Sequence, residues 1–358
     1  MRKELTRVLM VAAVLMVAGV ASAAAASKSK QISGAGATFP YPIYSKWAAA
    51  YHKATGVRVN YQSIGSGGGI KQIKAGTVDF GASDAPLTKQ ELDAAGLVQF
   101  PMIIGGVVPV VNLPGVKPGT LRLTPQTLAG IFLGRIKRWD DPMLQELNPE
   151  LDLPDSPITV VHRSDGSGTT WVFTNYLSKV SSSWQRQVGN AKAVSWPAGV
   201  GGKGNEGVAS YVTRLKGGIG YVEFAYALQN QMNYVLLRNR AGDFTKPSIE
   251  AFQAAAAGAD WAHAPGFYLV LTNQPGQQSW PISGASFILM HKVQNDRTAG
   301  RTALEFFAWC FEHGNEMALD LHYVPLPQNV VDQVENAWQE RLVGSDQQPL
   351  WTRAASHE

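Results

Sequence analysis

Ile158-Thr159-Val160-Val161-His162-Arg163-Ser164-Asp165-Gly166-Ser167-Gly168-Thr169-Thr170-Trp171-Val172-Phe173-Thr174-Asn175-Tyr176-Leu177 is the stretch on which the reading of this chain turns. Ile158 to Arg163 is strand-like, Asp165 to Gly168 has the composition of a turn, and Thr169 to Leu177 carries apolar residues at helical spacing. A strand that passes through a glycine-rich turn into a helix is the repeating unit of an α/β fold. The turn also has a chemistry. The first N–H groups of a helix lack partners, the Ser167 hydroxyl stands beside them and no bulky side chain blocks approach, a combination that favours an anion. Arg163, at the end of the strand, can point into the same space as Ser167, Gly168 and Thr169, and Asp165 is placed to hold its guanidinium. The segment also reads as a plain Asp or Ser helix cap beside a surface arginine.

Two earlier segments repeat the pattern. Gly34-Ala35-Gly36-Ala37-Thr38-Phe39-Pro40 follows the strand-like Gln31 to Ser33 and precedes a helical pattern over Ile43 to His52. Gly65-Ser66-Gly67-Gly68-Gly69 follows the alternating Val57-Arg58-Val59-Asn60-Tyr61. Val78 to Ala82 reads as a further short strand. One such turn is common, whereas three point to a protein that surrounds an anion. The uncharged run Phe100 to Val111 reads as a buried strand pair leaving one lobe and entering another, and Ser286 to Met290 is a similar run late in the chain. Two crossings would make the first domain discontinuous.

The first residues stand apart from the fold. Arg2, Lys3 and Arg7 precede an apolar run from Val8 to Val20 and then Ala21-Ser22-Ala23, the pattern of a secretory signal peptide over residues 1–26. The run is shorter than the roughly 20 residues of a spanning helix. A periplasmic protein is the expectation. The formal charge of +4 is inflated by this leader, which holds three of the 31 basic and one of the 27 acidic residues, leaving +2. The remaining Lys and Arg are scattered, so nucleic acid is not an expected partner. Cys310 is the one cysteine and no disulfide can form within the chain. It sits among Leu304, Phe306, Phe307 and Phe311 and reads as a buried small hydrophobe.

Enzyme motifs fail on inspection. A nucleophile elbow needs glycine two residues before its serine, where Ser167 has Asp165. Gly202-Lys203 is followed by Gly204 and not by the Ser or Thr of a phosphate-binding P-loop. The dinucleotide fingerprint lacks its third glycine at Phe39 and at Ile70. No histidine pair has metal-ligand spacing, and neither a metal nor a cofactor is expected.

Those segments, with Asp79-Phe80-Gly81-Ala82-Ser83-Asp84-Ala85-Pro86 and Phe100-Pro101, give the mature chain a close resemblance to the periplasmic phosphate-binding proteins of phosphate ABC transporters. The resemblance implies an α/β fold of the two-lobed type II periplasmic binding protein class, with the ligand in a cleft between lobes joined by a hinge. Residues 27–112 and 281–358 would form the first lobe and residues 113–280 the second. It implies phosphate binding by Ala37, Thr38, Phe39 (through its backbone N–H), Ser66, Asp84, Arg163, Ser167, Gly168 and Thr169, with Asp165 in support. The implied partners are inorganic phosphate, a membrane permease and, through it, an ATPase, and the protein would act as a monomer without catalysis. Asp84 would accept a hydrogen bond from phosphate, which keeps a proton at neutral pH, and would repel sulfate, which does not. Taken without the resemblance, Asp84 is an ordinary turn residue. Alternatives are a receptor of the same fold for sulfate, molybdate or tungstate, and a secreted phosphatase using Ser167 or Ser66 as nucleophile. His162 stands where relatives often carry a permanently charged base, and Gln347 to Glu358 extends past the matched region as a mobile tail.

Overall fold

The computed structural model describes residues 30–352. The leader over residues 1–26 lies outside the described residues. Among those described, no helix is long and apolar enough to cross a membrane. In chain order the strands are β1 (Gln31–Gly36), β2 (Arg58–Ser63), β3 (Phe80–Ser83), β4 (Leu97–Asn112), β5 (Arg122–Leu123), β6 (Thr159–Arg163), β7 (Val200–Gly202), β8 (Gly218–Glu223), β9 (Asn233–Tyr234), β10 (Leu236–Arg238), β11 (Phe244–Thr245), β12 (Ser283–His291), β13 (Val293–Gln294) and β14 (Val343–Gly344).

The main sheet runs β2-β1-β3-β12-β4-β8-β6-β7, with β9 also on β4. At one end β1 lies parallel to β2 and β3, and at the other β6 lies parallel to β7 and β8. Helices make the crossovers that parallel strands require: Tyr41–Thr55 between β1 and β2, Ser66–Lys74 between β2 and β3, Gly168–Val180 after β6. Helix Tyr41–Thr55 buries Ile43, Tyr44, Trp47 and Tyr51, one face at helical spacing, starts with Pro42 in its first turn and stops at Gly56, whose φ is 78°.

β4 joins the two ends. Its residues 97–106 pair antiparallel with β12 and residues 107–112 with β8, so the partner changes between Gly106 and Val107. The run at Phe100 to Val111 is therefore one continuous strand, not the strand pair anticipated from sequence. Gly105 and Gly106 interrupt the branched side chains without reversing the chain, because pairing to β12 on one side and to β8 on the other keeps it extended. Pro101 is accommodated where the β4–β12 register shifts, at Ser286/Phe287.

The apolar core is continuous across both ends of the sheet. Phe80, Phe307, Phe100 and Trp338 form edge-on pairs under β1 to β4, while Phe173, Tyr221 and Trp196 stack under β6 and β8 with Phe132 edge-on to Phe173. Cys310 is buried in helix Arg297–His313, and burial pushes its thiol well above the usual range. The stretch 347–352 corrects the mobile-tail reading. Leu350 is buried, its N–H donates to Leu342 O at 2.9 Å, Trp351 packs edge-on against Trp338, and Arg297 donates to the carbonyls of Gln348 and Pro349. Apolar residues at 350 and 351 find a site on the core that no local pattern announces; residues 353–358 lie outside the described ones.

Candidate anion-binding site

Four loops at the carboxyl ends of β1, β2, β3 and β6 converge on one buried point, where α/β sheets place their ligands. The first carries Ala37, Thr38 and Phe39, the second Ser66, the third Asp84, and the fourth Arg163 to Thr169. Ala37, Thr38, Phe39, Ser66, Asp84, Arg163, Ser167 and Thr169 are each 3 % exposed or less, Gly168 is buried, and the supporting Asp165 is partly buried.

Contacts tie them together. Asp84 N–H donates to Ser66 Oγ at 3.2 Å. Arg163 Nη1 donates to Thr169 Oγ1 at 3.3 Å, and its Nε and Nη2 make a two-pronged pair with Asp165 at 2.7 and 2.6 Å. Ser167 caps its own helix, accepting from Thr170 N–H at 2.9 Å, which leaves its O–H as a donor. Ala37 spends both backbone groups within the first half of the fold, on Ala82 O and on the Tyr61 hydroxyl, so it shapes the turn. The Phe39 ring is wholly buried against Tyr323, whose hydroxyl donates to Phe39 O at 2.7 Å.

The two ends of the sheet meet here at close range. Gly67 N–H donates to Gly166 O at 2.8 Å, turn to turn. A Cβ on Gly168 would stand 2.4 Å from Ser66 Oγ and 2.5 Å from Asp84 Oδ2, so only glycine fits this arrangement. The Gly168 backbone thus faces the two residues that come from the other half.

Electrostatically the site is not a simple positive hole. Burial pushes the Asp165 carboxyl up, but the hydrogen bonds and charge of Arg163, with Gly204 N–H at 3.0 Å, outweigh it and hold the group below the usual range. Arg163 is therefore already matched by one carboxylate. Asp84 is different. Burial raises it to about 7, against the lowering pull of the Ser286 hydroxyl, which has no partner of good hydrogen-bonding geometry, the Arg163 charge and Ser66. Neither Asp84 oxygen has a hydrogen-bond partner among the described residues, although both are buried. Such a pair is costly unless a donor from outside the chain meets it.

Several residues at the site carry no signal in the sequence pattern. Asn205 donates through Nδ2 to Thr38 Oγ1 at 2.7 Å and to Thr169 Oγ1 at 3.2 Å, and through its backbone N–H to Thr38 Oγ1 at 3.3 Å. It stands at the start of helix Gly204–Arg214, the end of the glycine-rich Gly199 to Gly207, a fourth turn that has no Ser or Thr to draw attention. The Tyr226 hydroxyl donates to Thr38 O at 2.7 Å, which fixes the peptide group carrying the Phe39 N–H. Tyr221 meets Arg163 N–H at 3.2 Å and Thr170 Oγ1 at 2.6 Å. His162 lies outside this set: its ring stacks on Trp196 at 4.8 Å, and burial lowers its basicity, so it adds no fixed charge.

Comparison with known proteins shows the family and the fold. Residues 21–312 match the family model described as a PBP superfamily domain. Among curated proteins, the chain is 59 % identical over 312 residues to the phosphate-binding protein PstS of Xylella fastidiosa (strain Temecula1), covering 87 % of this chain and 86 % of that one. It is 56 % identical over 316 residues to PstS of Haemophilus influenzae, with 88 % and 95 % covered. Among solved structures, the ancestral soluble variant of the human phosphate binding protein superposes with a TM-score of 0.70 at 20 % identity, covering 86 % of this chain and 94 % of that one. The periplasmic phosphate-binding protein PfluDING with bound phosphate gives 0.68 at 21 %, with the same coverage. These two share the fold, two α/β lobes with a cleft between them.

Proposed function

The chain belongs to the PstS phosphate-binding proteins of the PBP superfamily, and from that membership we propose that it captures inorganic phosphate in the periplasm and hands it to an ABC permease for import. The observation that carries the reading is Asp84, a buried carboxylate with two unpartnered oxygens set among hydrogen-bond donors. Among common oxyanions, phosphate keeps a proton at neutral pH to offer it, whereas sulfate would bring charge against charge.

In this reading Thr38, Ser66, Ser167 and Thr169 supply hydroxyls, Phe39 and Gly168 supply backbone N–H groups, and Arg163 supplies the charge, with Asp165 fixing its fork. The helix N-terminus at Gly168 adds the positive end of its dipole. Bonds to a charged group are worth about 1.5–3 kcal/mol each, and micromolar affinity needs only about 8 kcal/mol, so a few surplus bonds suffice after dehydration and closure are met. In this reading the described residues of 27–112 and 281–358 belong to one lobe and residues 113–280 to the other, and the change of β4 from β12 to β8, between Gly106 and Val107, lies a few residues before that boundary. A leader over residues 1–26 is removed on export. The protein acts as a monomer on a permease coupled to an ATPase, and performs no chemistry of its own.

Calorimetry of phosphate-stripped protein against phosphate and sulfate at neutral pH tests the proposal. Tight phosphate binding with sulfate at least about 100-fold weaker is the expected result, a difference of about 2.7 kcal/mol. Equal affinities would remove the role given to Asp84, and absence of phosphate binding would overturn the function.

A further inference from the structure

A hydroxyl has two acceptor positions and one hydrogen, so its hydrogen is committed once both acceptor positions are filled. Two threonines at the site meet that condition through a single residue. Thr38 Oγ1 accepts from Asn205 Nδ2 at 2.7 Å and from Asn205 N–H at 3.3 Å. Thr169 Oγ1 accepts from Asn205 Nδ2 at 3.2 Å and from Arg163 Nη1 at 3.3 Å. None of those donors can turn round: an amide nitrogen and a guanidinium only donate. The orientation of the Asn205 amide is likewise fixed, because Glu223 N–H donates to its Oδ1 at 3.0 Å, and only the carbonyl end can accept.

We propose that Asn205 is a positioning residue that fills the acceptor sites of Thr38 and Thr169, leaving both hydroxyl hydrogens to be donated to the bound anion. It does so only when the halves of the fold are together, since Thr38 follows β1 whereas Asn205 and Thr169 follow β7 and β6. Closure thereby sets the direction of two donors as well as burying the ligand. Asn205 itself is buried, and its amide is spent on the two threonines and Glu223.

This inference rests on the phosphate reading of the site, and a mutant cycle separates the two. Inorganic phosphate is titrated calorimetrically into the wild type, Asn205→Ala, Thr38→Val with Thr169→Val, and the triple variant, with thermal unfolding as a check on folding. Asn205→Leu, nearly the same size, replaces the alanine variant if that one does not fold. The single change should weaken phosphate binding by about 10- to 100-fold, the worth of one or two oriented bonds to a charge. In the valine background the same change should cost less than about threefold, because the hydroxyls through which it acts are gone. Thr38→Ser with Thr169→Ser, which keep the hydroxyls, should restore the full dependence on Asn205. An equal loss in both backgrounds, or no loss in the first, overturns the proposal. Wild-type protein that binds sulfate or molybdate but not phosphate overturns the phosphate reading alone, and the cycle is then judged with that anion. Binding of none of them overturns both.

Discussion

Asp84 decides more by its proton than by its charge. With its carboxyl raised to about 7, it is ionised above neutrality and holds a proton below it. A carboxyl whose native pKa lies above its unfolded one costs no stability below the unfolded value near 4 and its full cost above the native one. The anion-free protein therefore loses stability as pH rises from about 4 to 7. The same titration acts on selectivity. In the proposed site Asp84 and phosphate would share a single proton, and it would matter little which of them brings it. Sulfate brings none, so it gains a donor only when Asp84 is protonated. Discrimination between the two anions should fall as pH drops from 8 to 5.5, and Asp84→Asn should hold it low at every pH. Calorimetry across that range should find the phosphate-to-sulfate affinity ratio reduced by at least about tenfold in the variant, or about 1.4 kcal/mol. A ratio that does not change with pH in the wild type would show that Asp84 does not hold the proton. Little of this was legible from residue types. Asp84 before Ala85-Pro86 reads as a turn, and its depth becomes visible only when β3 is placed beside β12.

Among the elements, the turns that end β2 and β6 carry the contact that closes the site. Gly168→Ala tests them. Its backbone lies at the start of a helix, where alanine is welcome, so the fold should tolerate the change. The added carbon would meet Ser66 Oγ and Asp84 Oδ2 well inside contact distance, so it must hold the turns apart. Phosphate affinity should fall by about 100-fold or more while the melting temperature without phosphate moves by only a few degrees, about the effect of a 1 kcal/mol change. Unaltered affinity would mean that the contact yields. The strand, turn and helix over residues 158–177 were readable because the apolar period changes across a glycine-rich turn, and so were the other two such turns. Asn205 was not, because its importance comes from partners 167 and 36 residues away in sequence. The strand over Leu97–Asn112 reads as a pair in the sequence for a related reason: which neighbours hold it extended is a property of the sheet.

At the scale of the molecule, one large apolar cluster passes under both ends of the sheet, beside a smaller one around Ile70, Ile73 and Leu289, and β4 pairs with strands of both ends. Heat should unfold the protein in one transition, with far-UV circular dichroism and tryptophan fluorescence coinciding, although the fold has two lobes. Phosphate at 100 times its dissociation constant should stabilise it by about 2.7 kcal/mol, shifting that one transition upward as a whole. Two separable transitions, of which phosphate moves one, would contradict the shared core.

The bond from Gly67 to Gly166 has a consequence for time. It is made by two peptide groups, with no charge for salt to screen and no proton for pH to remove. Neither partner has a side chain to lengthen or shorten, so the clasp cannot be loosened by degrees from within. How long a captured anion stays is then governed by the anion's own bonds and by whatever pulls the two turns apart from outside, and the escape rate should be as steady as the backbone that sets it.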